Sequence, residues 1–118
     1  MASILVIDDQ ESMRQLLHLV LEAAGHQVME APNGRVGLAM YADKATDLVI
    51  TDIGMPEMNG LEMMAELNRS FRDVKIIVIS GAPGQELESA KRLGACETLP
   101  KPFNLGRLLD AVRAEIAR

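Results

Sequence analysis

Three short aliphatic runs, Ile4-Leu5-Val6-Ile7, Leu48-Val49-Ile50 and Ile76-Ile77-Val78-Ile79, are apolar at every position rather than at every second one. A strand of this kind must be covered on both faces, which is the situation of a parallel strand between two layers of helices. The stretches between the runs have helical period. Met13, Leu16, Leu17, Val20, Leu21 and Ala24 recur at spacings of three and four, which makes one apolar stripe. Gly25 stands where a left-handed C-terminal cap closes such a helix. Asn33 is placed as the N-cap of a second helix over residues 34 to 43. A third is expected from 60 to 70 and a fourth from 85 to 93, closed by Gly94; the last carries Leu105, Leu108, Leu109, Val112 and Ile116. Two weaker strand candidates complete the alternation, Gln27-Val28-Met29-Glu30 and Glu97-Thr98-Leu99. The first is short and flanked by polar residues, as an edge strand is. Five repeats of strand then helix predict an α/β fold, a doubly wound five-stranded parallel sheet with right-handed crossovers.

The 118 residues form one domain, 1–118, long enough to bury a core without disulfides or a structural metal. An apolar content of 48% supplies that core, and 25% charged residues speak against both disorder and membrane insertion. With only 3% aromatic residues (Tyr41, Phe71, Phe103), the packing has to come from aliphatic side chains and methionines. The net charge of −5 excludes duplex DNA or an acidic membrane surface as an expected direct target. Cys96 is the sole cysteine, so no intramolecular disulfide forms and a reducing compartment fits. The apolar run at the start stops at Asp8 and has no basic leader, too short for a signal peptide or a membrane span. A cytoplasmic location is the resulting expectation.

Ligands of an open parallel sheet bind outside the carboxyl ends of its strands, so the residue that ends each run carries the information. The first run ends in Asp8-Asp9, the third strand in Thr51-Asp52, the fourth in Ser80, and the fifth leads through Pro100 into Lys101-Pro102. If these four strands are neighbours, three carboxylates, a hydroxyl and an ammonium converge in one cleft. Two carboxylates about 4 Å apart repel by roughly 4 kcal/mol at an effective dielectric of about 20. Three of them offset by one lysine therefore call for protons or a cation. A hard cation such as Mg²⁺ suits an all-oxygen donor set, because it takes a few carboxylates and keeps waters that a phosphate can replace. Zinc does not suit it, since neither His18 nor His26 has a Cys or His partner at ligand spacing. A carboxylate beside Mg²⁺ can act as a nucleophile towards phosphorus, with Ser80 and Lys101 contacting the phosphoryl oxygens.

Taken together, these residues make the chain resemble the receiver domain of two-component response regulators. The resemblance runs through Asp8-Asp9, Thr51-Asp52, Met55-Pro56-Glu57-Met58-Asn59-Gly60, Ser80-Gly81, Leu93-Gly94-Ala95 and Lys101-Pro102-Phe103. It implies a flavodoxin-like sheet of order 2-1-3-4-5 and a phosphoacceptor signalling domain. Asp52 then matches the phosphoacceptor, and Asp8, Asp9, Asp52 and the backbone carbonyl of Gly54 match the Mg²⁺ ligands. Ser80 matches the switch hydroxyl, Lys101 the lysine that pairs with the phosphoryl group, and the Lys101-Pro102 peptide is expected to be cis. The implied donor is a histidine kinase or phosphotransfer protein. The implied consequence is a switched surface, formed by the fourth helix, fifth strand and fifth helix, that binds a downstream protein target. Self-catalysed phosphorylation and dephosphorylation are the only chemistry implied, in a monomer or weak dimer.

One departure stands out. The family commonly has Tyr or Phe three residues before the lysine, and here that residue is Thr98. The expectation is therefore that the signal travels through backbone movement of the Ser80–Gly84 loop. Gly54 and Ala82 flank the site with little or no side chain.

Other functions fit less well. A Mg²⁺-dependent phosphoaspartate phosphohydrolase would have Asp-x-Asp after the first strand and a cap over the site. A flavin or nucleotide binder would have a Gly-rich phosphate loop there. A receiver-like module that is never phosphorylated has only Thr98 in its favour. Asp8-Asp9 alone would read as a helix cap, Ser80 as a turn residue and Lys101 as a surface lysine; their co-occurrence decides for chemistry. His18 lies off the apolar stripe and reads as an exposed histidine, and His26 has no evident role. Met55, Met58, Met63 and Met64 read as packing residues, Lys91-Arg92 as a solvated face, and Cys96 as a small packed residue.

Overall fold

β1 (Ser3–Ile7), β3 (Leu48–Asp52) and β4 (Ile76–Ser80) are the three aliphatic runs, and from Ile4 onward nearly every one of their residues is buried. The structure, a computed structural model, describes residues 2–55, 58–81 and 84–118, without side chains at 84 and 85. β2 (Gln27–Ala31) and β5 (Glu97–Pro100) are the two edges of a parallel sheet of order β2-β1-β3-β4-β5. The helices between the strands are α1 (Glu11–Ala23), α2 (Gly34–Asp43), α3 (Gly60–Ser70), α4 (Gly84–Arg92) and α5 (Leu105–Ile116). This is the doubly wound parallel sheet that the residue pattern predicts, in the flavodoxin-like order that the family resemblance implies, with boundaries that move by one or two residues.

Alternation along each strand sorts the core into two halves. Ile4, Val6, Leu48, Ile50, Ile77 and Ile79 pack against Leu17 and Leu21 of α1 and Leu108 and Val112 of α5. Leu5, Ile7, Val49, Ile76 and Val78 face the other way, towards Tyr41 of α2, Met63, Met64 and Leu67 of α3, and Ala90 of α4. Each fully buried side chain of this kind stabilises the fold by about 1.5–3 kcal/mol relative to exposure. The sheet is thus pinned from both sides and its C-terminal edge has a fixed shape. Met55, Met63 and Met64 are buried in the second half of the core, so these methionines pack rather than present a surface. Tyr41 and Phe71 meet edge to face at 5.1 Å.

The helix ends follow from local chemistry. Asn33 Oδ1 accepts from the backbone N–H of Val36 at 2.8 Å, the expected N-cap. Two further asparagine caps escaped the sequence reading. Asn59 and Glu62 form a reciprocal capping box at the start of α3, whose Asn-x-x-Glu spacing was a usable signal. Asn104 Oδ1 accepts from the N–H groups of Gly106 and Arg107 at the start of α5. Gly25 and Gly94 close α1 and the turn after α4 with φ of +96° and +99°, as their placement suggested.

α1 departs from expectation at two positions. Leu16, read as part of the buried stripe, is 42% exposed. It borders a shallow apolar depression with Met13, Pro102, Phe103 and Leu105. His18, read as exposed, is half-buried and held between two carboxylates. Its Nδ1 lies 2.7 Å from Glu30 on β2 and its Nε2 lies 3.2 Å from Glu22 one turn on. His26, given no role, accepts from the N–H of Ala2 through Nδ1 at 3.3 Å.

The Glu30 carboxylate holds the His18 imidazole above its ordinary value of 6.5; partial burial opposes this and Glu22 adds to it. A group raised on folding stabilises fully below its unfolded value, and the contribution fades as pH climbs through the folded one. His18→Gln should therefore lower the thermal midpoint at about pH 5.5 and much less at about pH 9. Thermal melts check this. An equal loss at both pH values would mean that the imidazolium makes no pair with Glu30.

Candidate functional site

Parallel register decides which strand ends meet. Ile7 lies opposite Thr51, and Asp52 lies opposite Ile79, so the next residues along β1, β3 and β4 share one edge. Asp8 leaves β1 there, 3% exposed, and Asp52 ends β3, 8% exposed. Asp9 is exposed beside them. One carboxylate oxygen from each of Asp8, Asp9 and Asp52 lies within 4.8 Å of the others. Ser80, buried at the end of β4, faces Pro100 of β5 in register, and its carbonyl accepts from the N–H of Lys101 at 2.8 Å.

That last bond places Lys101. Its Nζ lies 3.1 Å from Asp52 Oδ2 and 3.7 Å from Asp8 Oδ2. One ammonium is therefore divided between two buried carboxylates. Burial pushes the Asp8 carboxyl above its ordinary value, and the charges of Asp52 and Asp9 push the same way. The N–H of Gln10, at 2.9 Å from Asp8 Oδ1, and Lys101 work against that rise without cancelling it. Asp8 does not act as a side-chain cap of α1: Gln10 holds the N-cap position, with no capping bond from its side chain.

The loop behind Asp52 is tied down locally. The N–H of Gly54 donates to Asp52 Oδ1 at 3.3 Å, and the Thr51 hydroxyl donates to the Asp52 carbonyl at 2.9 Å. α3 begins against this loop, with the N–H of Gly60 donating to the Ile53 carbonyl at 2.9 Å. A β-carbon on Gly60 would overlap the Asp52 carbonyl oxygen and crowd Ile53. Glycine there lets α3 approach the strand end closely, a requirement that sequence reasoning did not draw from the Asn59-Gly60 pair. Pro56 and Glu57 of the same motif lie outside the described residues, as do Ala82 and Pro83 of the loop after Ser80.

Of the remaining expected residues, Pro102 follows a cis peptide bond, as anticipated. Thr98 sits half-buried on β5, paired with Val78. It is not within the acid cluster. Arg14 was not singled out by sequence, yet its Nη1 donates to the Asp8 carbonyl at 2.8 Å.

The donor set is oxygen only, three carboxylates with one lysine among them, which fits a hard cation with part of its water shell retained. Zinc would have no nitrogen or sulfur ligand in this cluster. Among the described residues, this is the one group of three acids, histidines or cysteines close enough to hold a metal. No helix there is long and apolar enough to cross a membrane.

Comparison with known proteins gives a consistent result. Residues 4–113 match the family model of the response regulator receiver domain. The chain is 38% identical over 112 residues to the chemotaxis protein CheY of Thermotoga maritima, covering 92% of each. It is also 38% identical over 113 residues to the DNA-binding transcriptional regulator NtrC of Azospirillum brasilense, but spans only 23% of that protein. The response regulator protein TrrA of Thermotoga maritima, solved in complex with Mg(2+)-BeF, superimposes with a TM-score of 0.89. That match has 33% identity and covers 98% of this chain and 99% of TrrA.

The buried charge at Asp8 has a measurable consequence. In metal-free buffer Asp8→Asn should raise stability by about 1 kcal/mol, which for a domain of this size is roughly 4 °C in thermal midpoint. Millimolar Mg²⁺ should raise the wild-type midpoint and leave the variant almost unmoved, since only a ligand of the native state stabilises it. A Mg²⁺ response of equal size in both proteins would remove Asp8 from the cation site.

Proposed function

The chain belongs to the response regulator receiver domain family, the phosphoacceptor modules of two-component signalling, and we propose that Asp52 is its acceptor. The observation that carries this assignment is the position of the Asp52 carboxylate. It is buried at a strand end, 3.1 Å from the Lys101 ammonium and within reach of the Asp8 and Asp9 oxygens.

The reaction needs positioning and charge neutralisation more than bond polarisation by the protein. An Asp52 oxygen attacks the phosphorus of a phosphohistidine in line with the leaving nitrogen. The O–P bond forms as the P–N bond breaks, and the imidazole keeps the electron pair and takes up a proton. Lys101 moves from sharing two carboxylates to contacting a phosphoryl oxygen, and the Ser80 hydroxyl donates to another. Asp8, Asp9, Asp52 and the Gly54 carbonyl are the groups that would hold Mg²⁺. When bound, that ion offsets the negative charge brought in by the phosphoryl group. Water attack on the same phosphorus returns the free carboxylate. Gly54, which has open space where a β-carbon would stand, leaves a path for that water.

The donor in this reading is a histidine kinase or phosphotransfer protein, and the acceptor works in the cytoplasm on a downstream protein. Switching starts at Ser80 and Lys101, which are already joined through the backbone. Because Thr98 supplies no ring to follow Ser80, the change reaches β5 and α5 through the backbone of that strand pair.

Incubation with acetyl phosphate and Mg²⁺ should add one phosphoryl group to the chain, read by mass spectrometry. Asp52→Asn should take up none, and EDTA should suppress the wild-type reaction. Label that persists on Asp52→Asn would place the acceptor elsewhere.

A further inference from the structure

Arg14 lies one turn into α1, outside the acid cluster, yet it touches the backbone of that cluster directly. Its Nη1 donates to the Asp8 carbonyl at 2.8 Å and its Nε to Glu30 Oε1 on β2 at 3.2 Å. The side chain is 16% exposed. Glu30 is itself held from the far side by His18 at 2.7 Å. The guanidinium is thus anchored to an edge strand at one end and delivers a donor to the acid turn at the other.

The atom it holds matters more than the bond itself. The Asp8 carbonyl belongs to the peptide plane that joins Asp8 to Asp9, and that plane is rigid. The N–H of Asp8 is already bound to the Ala31 carbonyl at 3.1 Å, and Asp8 Oδ1 accepts from Gln10. Lys101 holds Asp8 Oδ2 at 3.7 Å, and Arg14 adds a tie on the carbonyl of the Asp8–Asp9 peptide itself, the plane from which Asp9 leaves the strand. Asp9 is exposed, with no packing to orient it, so the direction of its backbone sets which rotamers can reach the Asp52 side of the cluster.

We propose that Arg14 is a positioning residue of the acid pocket: anchored on Glu30, it fixes the Asp8–Asp9 peptide so that both carboxylates address the same cation. This rests on the reading of Asp8, Asp9 and Asp52 as a Mg²⁺ site and adds to it a supporting pair that contributes no ligand. A lysine cannot replace it, because one ammonium on a flexible stem does not span the two acceptors as a planar guanidinium does.

A plain staple between α1 and β2 would use the same contacts, so the test must separate affinity from stability. Titration calorimetry with MgCl₂ on the full chain should show the dissociation constant rising about tenfold or more in Arg14→Lys and Arg14→Met. Glu30→Gln, which keeps an acceptor for Nε but loses its charge, should give a smaller rise in the same direction. Acetyl phosphate labelling of Arg14→Lys should recover towards the wild-type rate once Mg²⁺ is raised to saturation. Thermal midpoints in EDTA report on folding alone, and Arg14→Lys with Glu30→Gln decides the matter if Arg14→Met fails to fold. A folded Arg14→Lys whose Mg²⁺ dissociation constant stays within about twofold of wild type overturns the proposal and leaves a structural staple. A wild-type chain that takes up no Mg²⁺ overturns the cation site itself and the proposal with it.

Discussion

Asp52 and Asp8 are both buried, and the ammonium of Lys101 stands between them, closer to Asp52. The rest of the site follows from that unequal arrangement. One positive charge cannot balance two buried carboxylates with a third carboxylate beside them. Burial above all, with a smaller push from Asp52 and Asp9, raises the Asp8 pKa, and the excess of carboxylates over ammonium makes the pocket receptive to a small hard cation. In the proposed reaction, an incoming phosphoryl group meets a lysine already in place.

Such a concentration of like charge persists only on a scaffold that cannot relax away from it. Here β3 and β4 are buried along their whole length, and each face of the sheet is closed by aliphatic side chains and methionines. Close packing of that kind transmits strain rather than absorbing it. The acids are then held by short local ties: Gln10 on Asp8, Gly54 on Asp52, Ser80 on the Lys101 backbone. Gly60 allows α3 to abut the Asp52 carbonyl, and the Asn59–Glu62 capping box starts that helix at the required place. The Lys101–Ser80 backbone bond has a second consequence, since it joins the two residues that meet the phosphoryl group in the proposed reaction. In a chain with Thr98 where the family resemblance implies a ring, that bond is a direct link from the pocket to β5.

Much of this is legible in the amino-acid sequence alone. Continuous aliphatic runs demanded strands covered on both faces, and the helices with spacings of three and four emerged within one or two residues of their bounds. The convergence of acids and lysine at one edge was legible because each lies at the end of a run or just beyond it. The failures also have physical causes. Leu16 fits the apolar period of α1, but period says nothing about how far the receiving surface extends, and Leu16 borders an open depression instead. His18 falls off the stripe, yet the helix flank it occupies faces Glu30 of the edge strand, a partner twelve residues away. Arg14 looked like any helical arginine, because its role depends on a carbonyl oxygen, and every residue has one.

By itself the sequence determined the kinds of element, their order along the chain, and the inventory of groups deposited at the strand ends. Those are local properties, written in periodicity and in the residue that follows each run. Only the tertiary structure decided that Lys101 sits nearer Asp52 than Asp8, that three oxygens fall within 4.8 Å, and that Arg14 reaches the peptide between two acids. Those relations are set by hydrogen-bond register between strands separated by whole helices in the chain, and by how each helix crosses the sheet. Neither quantity has a counterpart in the spacing of residues along the chain.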